Sequence, residues 1–217
     1  AGGLMKFKDF TLTVTDINEA PQFDNAAYSC ELNENTPAGA SVIALNAIDA
    51  DAADTVTYSI TNGNFGFPFA INSNTGEITV YNANMLDFEQ YPNFNLTVRA
   101  TDSQGLYDEA TVTIHLIDIN EVPTIVTNTL SINEGEAKVL TNSNLYASDP
   151  ENISPENLIY QVEHIVHGEF QKEGVLVTSF SQAEINNGLI QFVHDGTEHP
   201  PTYTLTVSDG VYESNPS

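Results

Sequence analysis

Residues 110–123 read ATVTIHLIDINEVP, and this stretch contains both signals that decide the fold. Its first half, Ala110–Leu116, alternates apolar and polar side chains, with threonine on the polar side. A period of two predicts a strand that is buried on one face only. Its second half, Asp118–Pro123, ends the alternation with two carboxylates and a proline. That composition is typical of a segment that joins two folded units.

The same alternation recurs along most of the chain. Besides Ala110–Leu116, strands are predicted for Phe10–Val14, Thr55–Ile60, Phe94–Val98 and Tyr203–Val207. Turn clusters such as Asn72–Gly76 lie between them. The helical signal is confined to Ser181–Asn186, where Ser181 as N-cap and Glu184 are expected to form a capping box. Many short strands with frequent turns predict an all-β protein built from antiparallel sandwiches.

The chain also repeats itself with a period of about one sandwich domain. The segment Asp16–Pro21, DINEAP, recurs as Asp118–Pro123, DINEVP, 102 residues later (118 − 16). Three domains are therefore predicted. Residues 1–20 are the end of a preceding repeat or a leader segment, 21–120 form one complete repeat, and 121–217 form a second, diverged repeat.

Charge restricts the classes of partner. The 217 residues include 30 Asp and Glu against 5 Lys and Arg, which gives a formal net charge of −25. A surface this acidic repels phosphate backbones and anionic lipid, so neither nucleic acid nor direct membrane insertion is expected. The single cysteine excludes an internal disulfide framework. No signal peptide pattern opens the chain, and we expect it to be a segment of a larger protein.

Several acids stand at predicted strand ends rather than on strand faces. A sandwich gathers strand ends at two poles, so carboxylates remote in sequence can meet there. Two carboxylates about 4 Å apart repel by roughly 4 kcal/mol at an effective dielectric constant near 20, and a cation is needed to hold several together. Hard oxygen ligands in this number suit Ca²⁺ better than Mg²⁺ or Zn²⁺. The candidate acids are Glu34, Asp87, Glu89, Asp118 and Glu121, then Asp49, Asp51 and Asp102, and their second-repeat counterparts Asp149, Glu151 and Asp209.

The motifs of residues 21–123 resemble those of a cadherin repeat in their order and spacing. They are NENTP at 33–37, DAD at 49–51, FAINSNTGEI at 69–78, LDFE at 86–89, VRATD at 98–102 and DINEVP at 118–123. The resemblance implies a seven-stranded Greek-key sandwich of the immunoglobulin-like, cadherin-like type, with two or three Ca²⁺ at each linker. Departures such as Glu121 and Glu151, where the family usually has Asp, leave the choice between two and three ions open.

The resemblance also assigns metal ligands residue by residue. At the 118–123 linker, Glu34, Asp87, Glu89, Asp118 and Glu121 match the acids that hold two ions. Asn120, Asp149, Glu151 and Asp209 match the ligands of the third ion, and the carbonyls of Ile119 and Val122 complete the coordination. At the 16–21 linker, a weaker or partial site is implied for Asp16, Asn18, Glu19, Asp49, Asp51 and Asp102.

Residues 124–217 depart further from that pattern. The segments Phe180–Ile190, Phe192–Glu198 and Leu205–Gly210 resemble a chondroitin-sulfate-proteoglycan repeat, which is cadherin-like in fold. Aligning Phe94 with Tyr203 sets Glu198 opposite Glu89, so a further calcium site is expected downstream, at Glu134, Asp195 and Glu198. Linkers of the Asn-Glu-Ala-Pro type look more like those of large bacterial surface adhesins than those of vertebrate cadherins.

The function that follows is structural rather than enzymatic. We expect calcium-binding repeats that are stiffened by calcium. They would belong to a large extracellular or cell-surface protein, bacterial in type by its linkers, that mediates cell–cell or cell-surface adhesion. Expected partners are neighbouring repeats of the parent chain, another adhesin copy, a surface receptor or a polysaccharide. The alternative is a carbohydrate-binding module, or an accessory region of an extracellular polysaccharide-active protein. The sequence shows no clustered aromatic strip in favour of that alternative.

Overall fold

The computed structural model describes residues 8–51, 54–151 and 153–217. The chain divides into two compact units, Ala1–Asp118 and Ile119–Ser217. The strands of the first unit are β1 Gln22–Phe23, β2 Ala27–Asn33, β3 Ser41–Ala44, β4 Ala47–Ile48, β5 Thr57–Asn62, β6 Phe69–Ile71, β7 Glu77–Val80, β8 Asn93–Thr101 and β9 Tyr107–Ile117. A 3₁₀ helix, Ala83–Met85, follows β7.

Two sheets enclose the core of the first unit. One sheet has the strand order β2-β9-β8-β5 and the other has the order β3-β7-β6, while β1 pairs with β4. Alternate residues of β8 and β9 point inward, and Leu96, Val98, Val112 and Ile114 are fully buried together with Ile78 of β7. The period of two in the sequence therefore marks the faces that pack against each other.

The first unit is not wholly antiparallel, which corrects one prediction. Strand β2 pairs with β9 in parallel, with Ala27 opposite Thr111 and Asn33 opposite Ile117. The first long strand and the last strand therefore run in the same direction, from one pole to the other. The chain enters this unit at one pole and leaves it at the opposite one, and sequence alternation cannot distinguish parallel from antiparallel neighbours.

The second unit is also a two-sheet sandwich, and its described strand pairs are all antiparallel. Its strands are β10 Thr124–Asn128, β11 Ala137–Val139, β12 Leu145–Ser148, β13 Ile159–Val166, β14 Gly168–Lys172, β15 Val175–Leu176, β16 Ser179–Ser181, β17 Ile190–His194 and β18 Thr202–Ser208. The sheets have the orders β11-β17-β14-β15 and β16-β13-β18, and β10 pairs with β12. Two such sandwiches confirm the predicted fold class.

Aromatic side chains dominate the core of the second unit. Phe170 lies 5.0 Å from Phe192 and 5.1 Å from Tyr203, centroid to centroid, both edge to face. Its ring is also 5.5 Å from that of Phe180. Such pairs add specific ring contacts to the burial of a large apolar area.

The helical prediction is also confirmed. Helix α1, Gln182–Asn186, begins after Ser181. The Ser181 hydroxyl accepts a hydrogen bond from the Glu184 N–H at 3.2 Å, and the Glu184 carboxylate accepts one from the Ser181 N–H at 2.8 Å. This reciprocal pair is the capping box that the sequence predicts.

The strand predicted at Phe10–Val14 is wrong. Residues 8–20 contain no strand, and Phe10, Leu12 and Val14 are exposed. A strand needs a neighbour to satisfy its backbone groups, and no described strand pairs with this run. The rest of the segment assigned to a preceding repeat or a leader, residues 1–7, lies outside the described residues. Within the described ranges, no helix has the length and apolar content to cross a bilayer.

Candidate metal centres

The first candidate centre lies where β2 and β9 end. Because Asn33 is opposite Ile117 in the parallel pair, the acids that follow these strands, Glu34 and Asp118, leave the sheet side by side. Carboxylate oxygens of Glu34, Asp118 and Glu89 all lie within 4.8 Å of one another. The parallel strand pairing thus brings together acids that are 84 residues apart in sequence (118 − 34).

Glu34 is the buried member of this centre. Its side chain is only 3% exposed, and its Oε2 accepts a hydrogen bond from the Phe88 N–H at 2.8 Å. That bond ties the strand β2 end to the loop that carries Asp87 and Glu89. Asp87 itself accepts from the Gln90 N–H at 2.8 Å and does not belong to the close carboxylate group.

The second candidate centre lies at the opposite pole of the first unit. Carboxylate oxygens of Asp49, Asp102 and Asp54 lie within 4.8 Å of one another. Asp102 is buried and accepts hydrogen bonds from the Asn18 amide at 2.7 Å and from two backbone N–H groups. Burial raises the pKa of Asp102, but these bonds outweigh it and leave the pKa below its usual value. This carboxylate is therefore held ionised.

Asp54 is a residue of this centre that sequence reasoning missed. Its backbone N–H donates to the Asp51 carbonyl at 2.9 Å, and the Ser103 hydroxyl donates to its Oδ1. These contacts orient the other oxygen, Oδ2, which is buried. The sequence feature that could have indicated Asp54 is a third acid in the run DADAAD at 49–54. The family comparison of motifs drew attention to Asp49 and Asp51 alone.

The third candidate centre belongs to the second unit and repeats the bonding of the second centre. Asn120 donates to Asp209 at 2.7 Å, as Asn18 does to Asp102. The Glu151 N–H donates to Asp149 at 3.1 Å, as the Asp51 N–H does to Asp49 at 2.9 Å. The Glu121 N–H donates to Glu151, as the Glu19 N–H does to Asp51. The extra methylene of Glu151 is thus accommodated without loss of this bond.

The donor sets fit a cation because they contain buried oxygens that nothing neutralises. Among the described residues, Oδ2 of Asp49, Asp54 and Asp149 and Oε2 of Glu151 are buried and have no hydrogen-bond partner. An unpartnered buried carboxylate oxygen is costly. An ion of the Ca²⁺ type, which accepts six to eight oxygens at about 2.3–2.6 Å in flexible geometry, would satisfy them.

Asp149 shows this electrostatic cost most clearly. Burial, with the adjacent Glu151 carboxylate adding to it, raises the pKa of Asp149 to about 7, against about 3.9 for an ordinary aspartate. The neighbouring Asp149 carboxyl and the hydrogen bond from the Glu121 N–H outweigh burial at Glu151 and lower its pKa. In the absence of a cation, the proton of the pair therefore resides on Asp149.

This shift has a direct consequence for stability in chelator. The folded state holds the Asp149 proton more tightly than the unfolded state, so its contribution to stability is complete below about pH 4 and is lost as the pH rises through about 7. Asp149→Asn is expected to flatten the fall in melting temperature between pH 5 and pH 8. Thermal melts of both proteins in chelator across that window check this. Equal slopes would contradict the assignment of the proton.

Other predicted ligands are not gathered in the same way. Asp16 is exposed and outside the close carboxylate groups, and Ile119 and Val122 are also exposed. The downstream set of Glu134, Asp195 and Glu198 forms no close group among the described residues. Asp195 instead accepts from Thr197 and lies 3.2 Å from His167 Nδ1. Those two hydrogen bonds and the Thr197 N–H lower its pKa to about 2.

Comparison with known proteins agrees with this architecture. Residues 28–117 match the cadherin domain family, and residues 123–217 match the cadherin-like family. Human protocadherin Fat 4 is 42% identical over 134 residues, and the Drosophila melanogaster protocadherin-like wing polarity protein stan is 39% identical over 118 residues. These alignments cover 59% and 54% of this chain but only 3% of each relative.

Solved structures show the same fold. The crystal structure of mouse cadherin-23 EC22-24 covers 88% of this chain, and the chain covers 59% of it, at 25% identity and a TM-score of 0.54. The protocadherin GammaB4 extracellular domain covers 94% of this chain, which spans 32% of it, at 26% identity and a TM-score of 0.55. The prediction that this chain is not an enzyme is confirmed. The chain carries two tandem cadherin-type domains.

Proposed function

We propose that this chain binds Ca²⁺ through the carboxylate sets at the poles of its two cadherin-type units. The observation that carries the proposal is the recurrence of one arrangement in both units. In each, an asparagine amide orients one aspartate, a backbone N–H orients a second, and buried carboxylate oxygens are left without a partner. Proteins rarely bury such oxygens twice unless a cation completes them.

Calcium is the metal that this chemistry favours. The donors are carboxylates and amide or backbone oxygens, without cysteine, and histidine is absent from the three centres. Mg²⁺ retains several waters and demands near-octahedral geometry, whereas these sets offer many protein oxygens. Extracellular calcium sites typically have dissociation constants of about 10⁻⁴–10⁻³ M. External calcium would fill sites of that affinity.

The role that we propose for the ions is mechanical. Asp118 belongs to the first unit's carboxylate group, whereas Asn120 is hydrogen-bonded to Asp209 of the second unit. Only Ile119 separates them in sequence. Ions held by both sets would therefore fix the backbone of the 118–123 linker, and carboxylate repulsion would loosen it without calcium.

The wider setting is also a proposal. We infer an extracellular or cell-surface location, in a large adhesin-type protein of the bacterial kind, with adhesion as the activity of the parent chain. The cadherin-type domains support adhesion, and the Asn-Glu-Ala-Pro linker at 18–21 supports the bacterial type. Partners on this view are neighbouring repeats, another copy, a surface receptor or a polysaccharide.

Calorimetric titration of Ca²⁺ into chelator-treated protein tests the proposal, with Mg²⁺ as the control ion. We expect two or three ions at the 118–123 linker with selectivity over Mg²⁺, a weaker event at the 16–21 linker, and a higher melting temperature in calcium. Small-angle scattering should show a narrower range of dimensions with calcium than with chelator. Absence of both heat and thermal shift would refute calcium binding.

Asp54→Asn distinguishes calcium binding at the second centre from calcium binding at the 118–123 linker in that experiment. The substitution keeps the side-chain size and removes one carboxylate from the second centre only. We expect the weaker event to lose affinity while the ions of the 118–123 linker are unaffected. Glu77→Gln, which neutralises a partly exposed acid of β7 outside all three centres, is the matched control.

A further inference from the structure

Three of the most exposed aromatic side chains of the first unit lie on adjacent segments of the chain. Phe65, Phe67 and Tyr81 are 79%, 70% and 67% exposed. The first two lie in the loop between β5 and β6, and Tyr81 follows β7. Both the Tyr81 and Asn82 N–H groups donate to the Pro68 carbonyl, at 2.7 and 3.2 Å, so the two segments are adjacent. We call these three side chains the aromatic patch.

Hydrogen bonds and close packing fix the backbone that carries the aromatic patch. The Asn64 side chain donates to the Phe69 carbonyl at 2.7 Å and accepts from the Phe69 N–H at 3.1 Å. A Cβ at Gly66 would lie 2.5 Å from Met85 Cε, so the loop packs closely against the 3₁₀ helix. The exposed rings are therefore preorganised, which lowers the entropy cost of binding a ligand.

Phe67 has an unfavourable backbone conformation. Its φ of 56° is in the left-handed region that glycine tolerates best. Because the Phe67 ring is exposed, burial in the core does not offset this backbone strain. Strain of this kind concentrates at positions that serve binding.

The charge distribution identifies a neutral occupant. Residues 60–71 and 78–86 contain no Asp, Glu, Lys or Arg, although 16% of the whole chain is charged. The net charge of −25 repels polyanions, and a cationic ligand would be drawn to the carboxylates elsewhere. The two chain segments that carry the aromatic patch are thus uncharged within a strongly acidic chain.

The polar groups around the rings favour a polyhydroxyl ligand over an apolar one. Four asparagines, at 62, 64, 82 and 84, lie in the same two segments, and the first three hydrogen-bond to the backbone of Gly63, Phe69 and Gly66 respectively. Among the described residues, the Asn84 amide has no hydrogen-bond partner. An apolar partner that covered the Asn84 amide would bury it without a hydrogen bond, which lowers the affinity. Sugar rings instead present apolar C–H faces to aromatic rings and hydroxyls to amides.

The size of the patch argues against a second protein molecule. Three aromatic side chains at these exposures offer roughly 300–500 Å², below the approximately 800 Å² per partner of a stable protein interface. We propose that the aromatic patch binds a neutral oligosaccharide chain by stacking its pyranose rings on Phe65, Phe67 and Tyr81. This activity is independent of the calcium centres, because it uses none of their carboxylates.

Amide chemical-shift titration of the full 217-residue chain tests the proposal. The probes are cellohexaose, laminarihexaose and mannohexaose, and hexagalacturonate is the anionic control of similar length. We expect saturable shifts in residues 60–71 and 78–86 with at least one neutral sugar and none with hexagalacturonate, in calcium and in chelator alike. No shift with any neutral sugar, or shifts confined to other residues, would overturn the proposal.

Variants connect the binding to the rings themselves. Phe65→Ala combined with Phe67→Ala should weaken sugar binding by about tenfold or more. Phe10→Ala removes a ring that is 89% exposed outside the patch and should leave affinity unchanged. Phe67→Gly should weaken binding while keeping or raising the melting temperature, since glycine relieves the positive φ. Unchanged affinity in the double variant, or a concentration-dependent self-association that this variant abolishes, would refute the carbohydrate assignment.

Discussion

Asp149→Ala is expected to remove calcium binding from the second unit, with affinity there reduced on the order of 100-fold or more, since loss of even an outer-shell partner of a metal costs 10–100-fold. Asp149 is 8% exposed and presents a buried Oδ2 without a partner. Removing it deletes both a ligand and the group that orients Glu151. Calorimetry should show fewer bound ions per chain, while the first unit's second centre stays intact.

The control for this experiment is Glu163→Ala. Glu163 is an exposed acid on β13, and its removal changes the net charge by the same amount. We expect its calcium affinity to match that of the parent. The calcium-free Asp149→Ala protein should melt no lower than the parent, because the substitution removes a costly buried carboxyl. Unchanged calcium affinity in Asp149→Ala would show that the centre is misplaced.

Phe170→Ala should destabilise the second unit by about 3–5 kcal/mol. Phe170 is 1% exposed, and its ring contacts Phe180, Phe192 and Tyr203. The substitution leaves a cavity between the two sheets and removes three ring contacts. For a domain of about 100 residues, this corresponds to a fall in melting temperature of about 12 °C or more.

Urea unfolding followed by circular dichroism measures that change, with Phe65→Ala as the matched control. Phe65 is exposed in the first unit, and its removal should shift stability by less than about 0.5 kcal/mol. The two units are separately compact, so we expect the transition of the first unit to be preserved in Phe170→Ala. A small effect at Phe170 would show that the core relaxes to fill the space.

Local sequence information was sufficient for the strands that pair with a long neighbour in a sheet. Thr55–Ile60, Phe94–Val98, Ala110–Leu116 and Tyr203–Val207 all fall on strands of the structure. The alternation is reliable there because each strand buries one face completely. The same alternation at Phe10–Val14 failed, since periodicity records which side chains could be buried and not whether a partner strand is present.

The residues of the candidate centres could also be predicted only in part. Acids at strand ends were identifiable because a repeated motif placed them outside the alternating runs. Asp54 was not, because its place in the second centre depends on its contacts with Ser103 and Asp102, which are remote in sequence. The downstream acids, Glu134, Asp195 and Glu198, share the residue types of a metal site without forming a close group in the described structure.

By itself, then, the sequence determined the all-β class, the repeat of about 100 residues and the strand-end acids, because these depend on local periodicity and on motif order. Only the tertiary structure decided that β2 and β9 run parallel, which brings Glu34 beside Asp118. It alone also placed Tyr81 next to the loop that carries Phe65 and Phe67. Pairing direction and loop packing are long-range properties, set by contacts between segments that the chain order does not specify.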